Sequence, residues 1–214
     1  MARGKPKAQK HTREKILDAA EDLFAEKGFD AASLSDIADQ VGIRQPGIFK
    51  HFATKKDLYF AVVTRIMDPW FEMLSTFVED VSSYGKAQLL LNKWVTYQAQ
   101  HPNLARLIQQ ATLAGGWQLE LLADTWFGQL VDRGRDLELS REDYWQHNSE
   151  MTPWIVMALH NMMLGYVTMA PLYQRLFGFD PLSKDAIEKQ SEFYFSFCER
   201  GLVKTEFHGR DRPK

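Results

Sequence analysis

The sequence predicts an all-α protein, on three observations. Apolar residues recur at i, i+3, i+4 and i+7 in one segment after another, the spacing of amphipathic helices. Glycine or proline marks the ends of most of these segments. No strand pattern and no internal repeat breaks the series. The expected organisation is an N-terminal three-helix head in residues 1–62 and a helical body in residues 63–214.

The chain opens with a polar, basic stretch, Met1 to Lys10, that contains Pro6 and reads as a disordered arm suited to phosphates or a minor groove. The first helix is expected from about Thr12 to Lys27, with Ile16, Ala19, Ala20, Leu23 and Phe24 facing inward and Gly28 ending it. Leu34, Ile37, Ala38 and Val41 carry the stripe of a short second helix. Ser33 or Ser35 can cap its first amides, and Gly42 stands where a stop with φ > 0 belongs. Pro46 suits the first turn of a third helix, whose apolar edge is Ile48 and Phe52. Two short helices across a tight glycine turn make a helix-turn-helix, the second sized for a DNA major groove.

Thr54 is placed to cap the next helix, with Lys55 and Lys56 in its first turn. Lysines there oppose the helix dipole, a mild cost that phosphate would offset. Leu58, Ala61, Val62 and Arg65 continue this helix towards the body, and Asp68-Pro69 predicts a kink or break. A helix with Trp70, Phe71, Leu74, Phe77 and Val78 follows, then a loop at Ser82 to Gly85. Further helices are expected over Lys86–Gln100, from Leu104 to a stop at Gly115-Gly116, and from Trp117 to about Val131. Arg133 to Ser149 is polar and acidic and reads as loop. Thr152 and Pro153 open a long apolar helix to about Arg175, and Ser183 begins a last helix to about Glu206.

The net charge of −2 says nothing about partners, but its distribution does. Residues 1–60 hold eleven basic and nine acidic side chains, so the head is basic and the remainder acidic. That pattern fits one end touching nucleic acid. The single cysteine, Cys198, excludes an intrachain disulfide and the common zinc motifs, and sits in an apolar run as a packed thiol. The six histidines have no i, i+4 pairing, so neither a metal site nor a cofactor is expected. No nucleophile–base pair or glycine-rich phosphate loop supports an enzyme. The N-terminus lacks a signal-peptide stretch, and no apolar run would span a bilayer, so the expectation is a cytoplasmic protein without membrane contact.

Thr12 to Val63 resembles the DNA-binding domain of the tetracycline-repressor (TetR) family of bacterial regulators. The matching residues are Ile16-Leu17-Asp18-Ala19-Ala20, Leu23-Phe24, Gly28-Phe29, Ile37-Ala38, Val41-Gly42-Ile43 and Ile48-Phe49-Lys50-His51-Phe52, with Lys55 and Leu58. The resemblance implies a C-terminal helical domain that binds a ligand and dimerises, and a chain that binds a palindromic double-stranded DNA operator as a repressor. Two departures stand out: Phe49 replaces a usual tyrosine, and Gly47 replaces a frequent Ser or Thr, so two DNA-contacting hydroxyls are missing.

The DNA-binding set is therefore Ser33, Arg44, Gln45, Pro46, Gly47, Phe49, Lys50, His51, Thr54 and Lys55. Within it Arg44, Gln45 and Lys50 carry base recognition, and His51, Thr54 and Lys55 hold phosphates. By the same resemblance the last two helices form a homodimer interface, helped by the small residues Gly165, Ser196, Cys198 and Gly201. A pocket for an apolar or aromatic effector would draw on Met67, Trp70, Trp94, Tyr97, Trp117, Leu121, Trp126, Met157, Asn161 and Tyr166, an aromatic- and methionine-rich set with few polar groups.

Overall fold

The computed structural model describes residues 5–80, 84–132 and 152–202, and every regular element among them is helical. In chain order these are α1 (Lys5–Ala31), α2 (Leu34–Val41), a 3-10 helix (Gln45–Lys50), α3 (Lys55–Asp80), α4 (Tyr84–Gln100), α5 (Pro102–Ala114), α6 (Gly116–Leu122) running into a π-helical turn (Ala123–Phe127), α7 (Thr152–Thr168), α8 (Ala170–Phe177) and α9 (Lys184–Leu202). The predicted loop at Arg133 to Ser149 and the side chain of Cys198 lie outside the described residues. No helix among the described residues is long and apolar enough to cross a membrane.

The described residues group into two compact units, one within 1–75 and 101–147 and one within 76–100 and 148–214. In the first, α1 buries Ile16, Leu17, Ala20 and Phe24, α3 buries Leu58, Val62, Met67 and Trp70, and α5 buries Leu104, Leu107 and Ile108. An acidic face of α1 ties the other two helices to it. Arg65 on α3 forks across α1, donating to Asp18 and Glu21 at 2.7 Å each. Burial works against the Arg65 charge, but the bonds to Glu21 and Asp18 outweigh it and raise its pKa. Asn103 on α5 donates to Asp22 at 2.9 Å and to Glu21 at 3.3 Å. In the second unit α4 packs against α7 and α9. Tyr194 on α9 donates to the Met162 carbonyl on α7 at 2.8 Å, and Tyr166 donates to the Pro181 carbonyl.

Three expectations are corrected. The arm is not disordered throughout: α1 is already helical from Lys5, with Pro6 in the first turn, where its missing N–H costs nothing. Pro69 does not end a helix, for α3 runs continuously through it. Pro69 is exposed, while Met67 and Trp70 are at most 1% exposed and hold the turn in place. The single apolar helix expected to Arg175 is two, broken at Met169 (φ −90°, ψ 0°). Pro171 is the cause, because its ring and missing N–H bar continuation of α7.

Candidate nucleic-acid interface

Local chemistry builds the helix-turn-helix almost residue by residue. Ser33 is extended, and its Oγ accepts the Asp36 N–H at 3.0 Å, which caps α2. Ile37 and Ala38 turn inward. Gly42 ends α2 in the left-handed region (φ 75°), which a Cβ would strain, and lets the Ile43 N–H reach the Ala38 carbonyl at 2.9 Å. Arg44 is extended, and Pro46 then starts the second helix.

That second helix is a 3-10 helix rather than an α-helix. Its bonds span three residues, Gly47 N–H to the Arg44 carbonyl at 2.7 Å and His51 N–H to the Ile48 carbonyl at 2.8 Å. Ile48 is its one buried side chain, at 1% exposure. Phe52 is buried just beyond it, with the Arg13 guanidinium 5.1 Å from its ring centroid. Arg44, Gln45, Pro46, Phe49 and Lys50 are all exposed, and Gly47 and His51 partly so. One aliphatic anchor thus holds a short rod whose outer surface carries two cations and an amide. Gly47 is not sterically required, since a Cβ there would only touch Ile43 Cδ1 at 3.4 Å.

The lysines that open α3 each lie against an aromatic ring. Thr54 Oγ1 accepts the Asp57 N–H at 3.0 Å, the predicted cap. Lys55 donates to the Asp30 carbonyl at 3.2 Å, with its ammonium 4.4 Å from the Phe29 ring. Partial burial lowers its pKa, against a smaller opposing pull from Asp30. Lys56 sits 4.5 Å from the Trp117 ring. Phe29, Tyr59 and Trp117 meet edge to face, with centroids 4.9 Å apart for Phe29–Trp117 and 5.3 Å for Tyr59–Trp117 and Phe29–Tyr59. This cluster locks α6 to the helices carrying the reading head. Sequence reasoning missed it, because Phe29, Tyr59 and Trp117 are too far apart in the chain for any periodicity to join them.

The expected effector residues are spread over both units. Met67, Trp70 and Trp126 are buried in the first; Trp126 Nε1 donates to Asp68 at 3.0 Å, and the Trp70 N–H has no partner among the described residues. Trp117 and Leu121 line an open cavity of about 310 Å³ with Lys56, Phe60, Glu120, Asp124 and Thr125. In the second unit Trp94 is buried, Tyr97 and Tyr166 are half-buried, and Met157 and Asn161 are exposed on α7. His160, beside Asn161, is partly buried, and desolvation lowers its pKa.

Comparison with known proteins converges on one family. Residues 16–62 match the family described as "Bacterial regulatory proteins, tetR family". The HTH-type transcriptional regulator RutR of Escherichia coli is 31% identical over 115 residues, 54% of this chain and 53% of the relative. The HTH-type transcriptional activator FasR of Mycolicibacterium smegmatis is 36% identical over 66 residues, 31% of this chain and 30% of that protein. The chain thus spans about half or less of these relatives' lengths, and both are regulators rather than enzymes. A TetR-like transcriptional regulator from Rhodococcus sp. RHA1 shares the fold at a TM-score of 0.61 with 19% identity, over 91% of this chain and 97% of that one.

Proposed function

For a chain that belongs, through residues 16–62, to the tetR family of bacterial regulatory proteins, we propose a one-component transcriptional regulator. It binds a palindromic operator as a homodimer and is released from it by an apolar or aromatic small molecule. The observation that carries this reading is the 3-10 helix Gln45–Lys50, anchored by buried Ile48 with Arg44, Gln45 and Lys50 exposed along its outer side. Arg and Lys donate to guanine, and Gln pairs with adenine. We assign DNA recognition to residues 1–62, with Ser33, Pro46, Gly47, Phe49, His51, Thr54 and Lys55 shaping the surface or meeting phosphates, and effector binding and dimerisation to residues 63–214.

Exposed apolar side chains support dimerisation through α7 and α9. Trp154 and Met157, one turn apart on α7, are 63% and 45% exposed, and Phe193 and Phe197 on α9 are 59% and 50% exposed. Large apolar groups paired at helical spacing mark a surface that another helix covers. Effector release is a population shift, in which ligand favours a spacing of the two reading helices that no longer fits successive major grooves.

The test is selection from a pool of random duplexes, followed by titration of the recovered sequence. A palindrome with half-sites about one helical turn apart is expected. Binding without sequence preference would remove the reading. Phe193→Glu with Phe197→Glu is expected to yield a monomer by light scattering with an operator affinity at least tenfold weaker; an unchanged dimer would move the interface elsewhere.

A further inference from the structure

The inward stripe of α4 is Leu91, Trp94, Val95 and Gln98, spaced i, i+3, i+4 and i+7. All four are buried, Gln98 to 2% exposure. Three of them are apolar, as an inward stripe requires, and the fourth is a carboxamide. Neither Nε2 nor Oε1 of Gln98 has a hydrogen-bond partner among the described residues. A buried amide left unpaired on both sides is costly, because its donor and its acceptor have each given up water for nothing. A leucine or methionine at the same position would complete the stripe without that cost.

We propose that Gln98 is the hydrogen-bonding anchor of the effector, and that the effector is a neutral molecule presenting a carboxamide-like edge on an apolar body. Such an edge offers a carbonyl to the Gln98 N–H and an N–H to its carbonyl, so two antiparallel bonds form at once. A carboxylate satisfies only the donor of Gln98, and a hydrocarbon satisfies neither. Discrimination then comes from the bonds that a wrong ligand leaves unmade rather than from the apolar contact that all of them share. The inference rests on the ligand-responsive reading above and narrows its effector from any apolar molecule to an amide-bearing one.

The experiment compares 2-naphthamide with 2-isopropylnaphthalene, similar in shape but without polar atoms. Calorimetry uses the full-length protein and its Gln98→Leu variant, with Gln98→Met as the unbranched alternative if Leu disturbs packing. The wild type is expected to prefer the amide about 10- to 100-fold, and both variants to keep less than about threefold preference. Without ligand, the variants are expected to melt about 2 °C or more above wild type, since they remove an unpaired buried amide. Equal affinity for the two probes, no saturable binding of 2-naphthamide, or a variant melting several degrees lower would each overturn the proposal. The last would mean that an internal partner or a trapped water already satisfies Gln98. An amide preference that depends on Gln98, with operator affinity untouched by 2-naphthamide, would uphold the anchor and discard ligand release.

Discussion

Replacing Trp117 with leucine removes the lock between α6 and the reading head while keeping an apolar side chain. Two edge-to-face contacts disappear, with Phe29 at 4.9 Å and Tyr59 at 5.3 Å, together with the Lys56 cation 4.5 Å from the ring. Aromatic pairs contribute about 0.5–1.5 kcal/mol each beyond area burial. A partly exposed cation–π contact adds about 0.5–1 kcal/mol. The sum is roughly 1.5–4 kcal/mol, which for a chain of this size lowers Tm by about 3–16 °C. Thermal unfolding of Trp117→Leu, Lys56→Met and the double variant forms a cycle in which Lys56 and Trp117 are expected to couple by about 0.5–1 kcal/mol. A loss below about 0.5 kcal/mol for Trp117→Leu would refute the reasoning, because the cluster would then be proximity without interaction.

Other expectations follow from single bonds and single groups. Ser33→Ala deletes the oxygen that accepts the Asp36 N–H and is expected to cost about 1 kcal/mol in denaturant unfolding, with Ser33→Thr restoring most of it; no loss would return the cap to solvent. Burial pushes the Tyr59 phenol up to about 12, so the folded state holds its proton more tightly than the unfolded chain does. That contribution is fully present below pH 10 and is lost as pH rises from 10 through 12. Melting curves across that window should fall more steeply for wild type than for Tyr59→Phe, and parallel curves would remove Tyr59 as a cause. Tyr194 shifts the same way, and burial is again the largest cause, so Tyr59→Phe should flatten only part of the fall.

The helix-turn-helix was legible because its signals are local. A capping serine, a glycine at φ > 0, a proline in a first turn and a capping threonine each act within four residues, and Ser33, Gly42, Pro46 and Thr54 all act as their types suggest. What failed was the balance between a local rule and packing. Pro69 should break a helix, yet the burial of Met67 and Trp70 on either side of it outweighs the lost bond. Pro171 did break one, because in the segment that follows, Ala170–Phe177, only Ala170 is buried to hold a continued helix in place. Periodicity could not separate a 3-10 helix from an α-helix over six residues. Nor could it single out Gln98, whose buried side-chain amide lacks partners among the described residues. For the effector residues the sequence offered an aromatic-rich composition, which describes a core as well as it describes a pocket.

Base reading by Arg44, Gln45 and Lys50 is tested most directly by titrating the selected operator, and single base-pair variants of it, with wild-type protein and the three alanine variants. Gln45→Ala is expected to relax preference at one or two base pairs in each half-site by about 1–3 kcal/mol, leaving the other positions unchanged. Lys55→Ala, as a phosphate-side control, is expected to weaken all sequences alike and to lower the salt slope by about one per half-site. If all three alanine variants at 44, 45 and 50 kept the wild-type preference at every position, the surface of the 3-10 helix would not be what reads the operator.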